Sequence, residues 1–205
     1  MSNPSPSVSD RPLPSVAELD AWYGGEHYAY LDSTQAMSLY KTVANAALRF
    51  GCRRILDVGC YHAHPLRFLP PGSIEAYTGV DVCSPALQRD RLLYADRPEA
   101  DFLYGDWNDI PRKNKDKSFC MIYFGGVLYY ITDRLSFISS FINAFSPHFV
   151  VVQDLASTDL SSLTTALRLR ERHWFDMDFQ VDESEWDAGW DHTTIRERQI
   201  LVLQT

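Results

Sequence analysis

The fold is decided by residues 55–63, whose sequence is Ile-Leu-Asp-Val-Gly-Cys-Tyr-His-Ala. Apolar residues run up to Val58 as in a short buried strand, and Asp57 stands near the carboxyl end of that run. Gly59 follows two places on, where a residue without a side chain lets the backbone turn tightly against a ligand. The pattern predicts a strand, a tight turn and a ligand site at the carboxyl edge of a sheet.

Short apolar runs alternate with helical periodicity along the rest of the chain. We predict strands at residues 55–58, 77–82, 101–104, 119–124 and 149–153, and helices at residues 33–50, 85–95, 134–145 and 160–172. Two β-rich runs, residues 174–181 and 194–203, close the chain and suit an antiparallel hairpin. The alternation predicts an α/β fold whose sheet is mostly parallel and covered by helices on both faces.

Composition excludes several classes of protein. A chain of 205 residues, 45% of them hydrophobic, fits one domain with its own core. The net charge of -8 argues against nucleic acid as a partner, because nucleic-acid binding needs Lys and Arg against phosphates. The four cysteines lack the close spacing of a zinc knuckle or a redox dithiol, so we expect reduced thiols. With no signal peptide and no apolar run of ~20 residues, we expect a cytoplasmic protein without membrane contact.

Two more acidic residues follow the next two predicted strands. Asp81 ends the second strand, where a Rossmann-type site places a carboxylate to hold ribose hydroxyls. Asp106 follows the third strand within Tyr-Gly-Asp-Trp, residues 104–107. The carboxyl ends of parallel strands meet at one edge, so Asp57, Asp81 and Asp106 are expected to lie together.

Three acidic residues at three successive strand ends, in this order, resemble the class I S-adenosylmethionine-dependent methyltransferases. The resemblance covers roughly residues 25–205 and implies a Rossmann-like, seven-stranded sheet. It divides the chain into a flexible, proline-rich tail at residues 1–15, an N-terminal lid and helix at residues 16–50, and a cofactor-binding methyltransferase domain at residues 51–205. Within this family the absence of an Asn-Pro-Pro-Tyr run and of a Pro-Cys pair after the fourth strand points away from nucleobase substrates.

The resemblance also implies roles for the residues at the first two strand ends. Asp57 would support the methionine end of S-adenosylmethionine, and Gly59 and Cys60 would pass beneath the cofactor. Asp81 would hold the ribose hydroxyls, and Val82 would pack on the adenine.

Further roles follow for residues after the third and fourth strands. Asp106 would accept from the adenine amino group, and Trp107 would supply a backbone donor nearby. Phe124 and Gly125 would form the edge beside the sulfonium. The alternative for the three acids, that they merely cap helices or turns, is the less favoured one.

The chain departs from the family where its glycine-rich loop normally has two more glycines. Tyr61 and Ala63 stand there. A tyrosine at this point would obstruct the close backbone approach that a pyrophosphate needs, so a nicotinamide or flavin dinucleotide is disfavoured.

Candidates for catalysis come from the lid and from the loops at the same sheet edge. Tyr28 or Tyr30 would reach the methionine end if residues 22–30 form the family's lid, or would pack the first helix if they do not. One of Tyr129 and Tyr130 would line the pocket, although both could be core.

Two polar residues complete the candidate set of Tyr28, His62, Tyr130 and Asp154. His62 is either a pocket or a surface residue, and Asp154 either faces the acceptor or caps the following turn. His62 and His64 stand two apart, but two ligands do not make a metal site, so no metal is expected.

The resulting hypothesis is methyl transfer from S-adenosylmethionine to a nitrogen or oxygen of a small metabolite of secondary metabolism, which leaves S-adenosylhomocysteine. Holding donor and acceptor in line can supply roughly 7–11 kcal/mol, and a base is needed only for a protonated acceptor. One alternative is a cyclase or lyase acting on the cofactor's own aminobutyrate arm, and another is a silent cofactor-binding module. The expected partner is the small-molecule substrate, with the protein a monomer or homodimer.

Overall fold

The computed structural model describes residues 33–176 and 197–205, and within that part everything except the side chain of Tyr129. Its seven strands are β1 (Arg54–Val58), β2 (Ala76–Asp81), β3 (Ala100–Tyr104), β4 (Met121–Gly125), β5 (Phe149–Leu155), β6 (Arg168–Asp176) and β7 (Glu197–Gln204). They form one sheet in the order β3-β2-β1-β4-β5-β7-β6. The first five strands are parallel, and β7 pairs antiparallel with both β5 and β6.

This topology confirms the predicted fold class and indicates which edge of the sheet would bind a ligand. The chain builds outward from β1 to β3, then crosses back to add β4 and β5 on the other side of β1. Ligands bind in such sheets at the carboxyl ends of the strands, where the strand order reverses. The point of reversal lies between β1 and β4, directly above the loop that begins at Gly59.

The helices cover both faces of the sheet. They are α1 (Thr34–Arg49), α2 (Ser84–Leu93), α3 (Ile110–Lys113), α4 (Arg134–Phe145) and α5 (Ser161–Ala166), with single 3-10 turns at His64–Phe68, Trp107–Asp109 and Leu128–Tyr130. The start of α1 is fixed by the Ser33 hydroxyl, which accepts from the Ala36 amide at 3.2 Å. Asp133 caps α4 in the same way, accepting from the Ser136 amide at 3.0 Å.

Alternate residues of the central strands point to opposite faces of the sheet and pack into two separate hydrophobic cores. Ile55 of β1 packs with Leu39 and Val43 of α1 on one face. Leu56, its neighbour, packs with Ile138 and other apolar residues of α4 on the opposite face. The two cores hold the sheet rigid, so that the carboxyl edge presents its loops in fixed positions.

One predicted element is wrong. The helix expected over residues 160–172 ends at Ala166, and the chain continues as the edge strand β6 from Arg168. Leu160 and Leu163 are the buried residues that anchor the short helix. Beyond this helix, Arg168, Arg170 and Arg172 are spaced two residues apart, as in a strand with one face in solvent, and all three side chains are exposed.

The tail, the lid region at residues 22–30 and the acidic segment that contains Trp186 and Trp190 lie outside the described residues. Within the described part, no helix is long and apolar enough to cross a membrane.

Candidate active site

Asp57 is the buried centre of the site. Its side chain has no exposed surface, and its Oδ2 accepts a hydrogen bond from the Tyr77 hydroxyl on the neighbouring strand β2. Its Oδ1 has no hydrogen-bond partner among the described residues. Burial raises the pKa of Asp57 to about 8, against the lowering effect of the Tyr77 hydrogen bond, and the nearby Asp81 and Asp90 add to the rise. A buried acid with one unsatisfied oxygen is suited to receive a positively charged donor at this edge.

The loop after β1 turns in a backbone conformation that favours glycine. Gly59 has φ +74°, and a Cβ added there would lie 2.5 Å from Cγ2 of Val127. Tyr61 and Ala63 also adopt left-handed backbone, with φ of 46° and 45°. Left-handed backbone costs an ordinary residue roughly 1–2 kcal/mol. The positions where the family has glycines therefore keep a glycine-like backbone without glycine.

The ring of Tyr61 is part of a small buried cluster. It is 8% exposed and packs with Cys83 and Ala86 at the start of α2. The ring centroids of Tyr61 and His62 are 3.8 Å apart.

Asp81 ties this loop to the end of β2. Its Oδ2 accepts from the Tyr61 amide at 2.9 Å, and its Oδ1 accepts from the Cys83 amide at 2.8 Å. Burial raises the pKa of Asp81 to about 6, although these backbone hydrogen bonds act to lower it. Each carboxylate oxygen can accept a second hydrogen bond, so Asp81 positions the loop and still has acceptor capacity for a ligand. Sequence reasoning found Asp81 but not its bond to Tyr61.

Cys60 and Val82 line the floor of the same edge. They are 5% and 8% exposed. The sulfur of Cys60 points toward Gly79 of β2, where an added Cβ would come within 2.9 Å of it. Burial raises the pKa of the Cys60 thiol well above its usual value, with the neighbouring Asp81 and Asp57 adding to the effect. Cys60 is therefore a packing thiol.

Asp106 and Trp107 connect the loops after β3 and β4. Asp106 is exposed, and its Oδ1 accepts from the Asn108 amide at 2.8 Å and from Nδ2 of that side chain at 2.9 Å. The Trp107 ring stacks on Tyr130, with 6.4 Å between ring centroids and 16° between planes. The structure thus brings Trp107 and Tyr130 together at the edge where the sequence predicts adenine and acceptor contacts.

Phe124 reaches the site with its backbone only. Its ring has no exposed surface and makes edge-to-face contacts with Phe137 and Phe141, at centroid distances of 5.7 and 5.1 Å. Its neighbour Gly125 is partly exposed, and the Gly125 carbonyl oxygen would lie 3.4 Å from a Cβ added at Gly59. Any contact of Phe124 with a sulfonium would be through the main chain.

His62 is a buried residue of the loop after β1, not a surface residue. It is 5% exposed; its Nδ1 lies 3.7 Å from Oδ1 of Asp90, and its Nε2 lies 3.3 Å from the Arg89 guanidinium. Burial raises the pKa of Asp90, with His62 opposing the rise. His64, 5.7 Å from His62 between ring centroids, packs on Tyr40, and burial lowers its pKa to about 3. The described residues include no group of three or more candidate metal ligands.

Asp154 has the contacts of a capping residue. It has no exposed surface, and its Oδ1 accepts from the Leu155 amide at 2.7 Å and from the Thr158 hydroxyl at 3.0 Å. Burial raises the pKa of Asp154 to about 6, while Arg198 and Arg134 act to lower it. These bonds stabilise the turn after β5 and favour the capping interpretation over contact with an acceptor.

Comparison with known proteins identifies the domain. Residues 56–148, which include the loop at Gly59 and the ends of β1 to β4, match the family model described as a methyltransferase domain. The chain has the fold of the S-adenosylmethionine-dependent methyltransferases, as the sequence predicts.

Solved structures support this fold over nearly the whole chain. The N-methyltransferase NodS from Bradyrhizobium japonicum WM9, with S-adenosylhomocysteine, is 16% identical over 93% of this chain and 97% of that chain, with a TM-score of 0.71. Magnesium protoporphyrin IX methyltransferase from Synechocystis PCC 6803, with bound SAM, is 10% identical over 96% and 100%, with a TM-score of 0.63. The [4+2]-cyclase SpnF is 14% identical over 95% and 98%, with a TM-score of 0.66. No curated protein matches significantly.

One partner in the site was missed by sequence reasoning. Tyr77 is the buried donor to Asp57, yet in strand register it pairs with Ile55, two places earlier. The residue opposite Asp57 is Gly79, which puts no side chain between them. A glycine facing a strand-end acid is the signal that could have drawn attention to this neighbour. Of the predicted residues, Tyr28 lies outside the described part.

Proposed function

We propose that this methyltransferase transfers the methyl group of S-adenosylmethionine to a nitrogen or oxygen of a small metabolite. The observation that carries the proposal is the unsatisfied, fully buried Oδ1 of Asp57. It lies beside a loop whose glycine, Gly59, has left-handed backbone and packs so closely against Val127 that an added Cβ would lie 2.5 Å from Cγ2 of that residue. A buried polar atom without a partner is costly unless a ligand supplies one, and the cofactor's ammonium group is a donor of the right charge.

The residues present fit the cofactor. Asp57 would hold its ammonium, Asp81 its ribose hydroxyls and Asp106 its adenine amino group. When bound, S-adenosylmethionine supplies a methyl group already activated on a sulfonium. The chain's own contribution is then to bind the cofactor, orient it and exclude water, with the Gly59 loop and the Gly125 carbonyl beside the proposed site.

Two features support a small acceptor. The net charge of -8 opposes binding to a polyanion. The similar NodS is named an N-methyltransferase, and a second similar structure is named for magnesium protoporphyrin IX. We extend small-molecule chemistry to this chain from those two names and from the acidic surface together.

Tyr130 is the described candidate for contact with the acceptor. It lies just after β4 at the site edge, is partly exposed and stacks on Trp107. Ring faces attract cations by ~0.5–2 kcal/mol, so an aromatic wall would hold a sulfonium without consuming its methyl group. Tyr28 completes the wall in this proposal, His62 supports the loop from below, and Asp154 holds the turn after β5.

The test is product analysis with the purified protein, S-adenosylmethionine and a panel of small amines, phenols and carboxylic acids. Formation of S-adenosylhomocysteine together with a product heavier by one methyl group supports the proposal. Methylthioadenosine formed without any acceptor would instead identify a lyase or cyclase acting on the cofactor's own arm. Binding by calorimetry without turnover on any acceptor would favour a silent cofactor-binding module.

A further inference from the structure

Two cysteines meet at the amino edge of the sheet, opposite the active site. Cys52 precedes β1 and Cys120 precedes β4, and these strands are parallel neighbours. The two residues are 68 apart in sequence, yet Sγ of Cys52 lies 3.8 Å from the Cys120 carbonyl oxygen. Sγ of Cys120 lies 3.2 Å from the Arg54 amide nitrogen. Parallel pairing thus places two thiols side by side that no local sequence motif connects.

The two sulfurs have different environments. Sγ of Cys120 lies 3.2 Å from both the amide nitrogen and the carbonyl oxygen of Arg54. A hydrogen bond from the Cys52 thiol, first among the causes, and the Arg54 backbone lower the pKa of Cys120 to about 6. The same thiol–thiol hydrogen bond, together with burial, raises the pKa of Cys52. Cys120 is partly exposed, whereas Cys52 is 3% exposed. A reachable thiolate beside a protected thiol is the arrangement of an attacking and a resolving cysteine.

We propose that Cys52 and Cys120 are a redox-active pair that closes to an intramolecular disulfide on exposure to a hydroperoxide. The Cys120 thiolate attacks one peroxide oxygen, the O–O bond breaks, and the departing hydroxide takes a proton to leave as water. Cys120 is then a sulfenic acid. The Cys52 sulfur attacks the sulfenic sulfur, and the hydroxyl group leaves with the Cys52 proton as a second water. Two thiols are oxidised and one hydrogen peroxide is reduced, with two waters formed.

The chain contains its own comparison thiols. Cys60 and Cys83 are 5% and 0% exposed, at the opposite edge of the sheet. Burial raises the pKa of Cys60 and keeps it protonated. Accessibility and thiolate character both favour oxidation at Cys120, so these two residues report whether a reaction is selective or general.

The experiment treats the reduced full-length protein with one equivalent of hydrogen peroxide, then alkylates remaining thiols in denaturant and digests with trypsin. The expected product joins residues 50–53 to residues 118–134, with a mass 2 Da below the sum of the two peptides. Cys60, in residues 55–67, and Cys83, in residues 68–89, should be recovered alkylated. In C52S, Cys120 should accumulate as a sulfenic acid that dimedone traps, and in C120S, Cys52 should stay reduced.

Several results would overturn the proposal. One is that Cys60 or Cys83 is oxidised as fast as Cys120. Another is that the disulfide forms between two chains. A third is that C120S consumes peroxide at the same rate as the unsubstituted protein. The same treatment of the unsubstituted protein in urea controls for effects of the variants on folding. Selectivity for the Cys52–Cys120 link should disappear there, because only the folded sheet brings the pair together, and a link formed equally well in urea would also contradict the proposal.

Discussion

Replacing Asp57 by Asn should make the protein more stable while weakening its binding of S-adenosylmethionine. Asp57 is fully buried, and burial raises its pKa from the usual 3.8 to about 8 in the folded protein. Between pH 3.8 and about 8 this carboxyl is deprotonated in the unfolded protein but still protonated in the folded one. The free energy of unfolding is therefore highest below pH 3.8 and falls progressively as pH rises to about 8. Asn does not titrate, and its side-chain oxygen can still accept from the Tyr77 hydroxyl.

The magnitude follows from the two pKa values. Each pH unit between them costs ~1.36 kcal/mol, so at pH 7 the protein with Asp57 has lost ~4 kcal/mol that D57N keeps. Other groups titrate in the same range, so the informative quantity is the difference in free energy of unfolding between the two proteins. This difference should grow by roughly 1.4 kcal/mol per pH unit from pH 5 to 8 and be constant above pH 9.

Urea unfolding of both proteins at one-unit steps from pH 5 to 9 measures this difference. D96N, which removes an exposed carboxyl, controls for the change in net charge. A difference between D57N and the unsubstituted protein that stays constant from pH 5 to 8 would refute the reasoning. Calorimetry in buffers of different ionisation heat tests the second part: S-adenosylmethionine should release a proton from Asp57 on binding below pH 8, and D57N should bind more weakly without releasing it.

Three further predictions concern the loop and the ligand contacts. D81A should weaken cofactor binding by ~10²-fold or more, because two hydrogen bonds to a charged acceptor are lost at ~1.5–3 kcal/mol each; unchanged affinity by calorimetry would place the ribose elsewhere. G59A should unfold at a lower temperature than G72A, because both glycines have positive φ but only the Cβ at residue 59 meets Val127; equal melting temperatures would contradict this. Y130L should reduce turnover more than Y130F if the ring faces the sulfonium, and full turnover in Y130L would exclude that role.

The sequence predicted the sheet because its central strands, such as β1, are buried on both faces. Ile55, Leu56 and Val58 are all close to fully buried, which makes the strand an uninterrupted apolar run. Strand-end acids could also be found, since parallel topology brings successive carboxyl ends to one edge whatever the loops do. Both inferences depend on local patterns, and local patterns are what a sequence displays.

Features that depend on tertiary contact were missed. Residues 168–176 have no apolar alternation that separates an edge strand from a helix, because most of their side chains are solvated, and pairing with β7 decides the conformation. The spacing of the cysteines argued against a dithiol, yet strand pairing joins Cys52 to Cys120. The left-handed backbone of Tyr61 is also tertiary in origin, since the Asp81 carboxylate holds its amide in place.

The strain in the loop and the buried charge at its base have a common explanation. Asp57 and Asp81 are both buried with raised pKa values. One oxygen of Asp81 accepts from the loop amide of Tyr61, and the other accepts from the Cys83 amide at the start of α2. Burying the carboxyl groups of Asp57 and Asp81 is unfavourable, and Oδ1 of Asp57 has no hydrogen-bond partner among the described residues. A cationic ligand that reaches Asp57 would remove the desolvation penalty and lower its pKa, so part of the binding free energy would come from relieving a cost already present in the ligand-free fold. This favours a positively charged cofactor over a phosphate-bearing one at the same sheet edge, since an anion would increase the repulsion from both carboxylates.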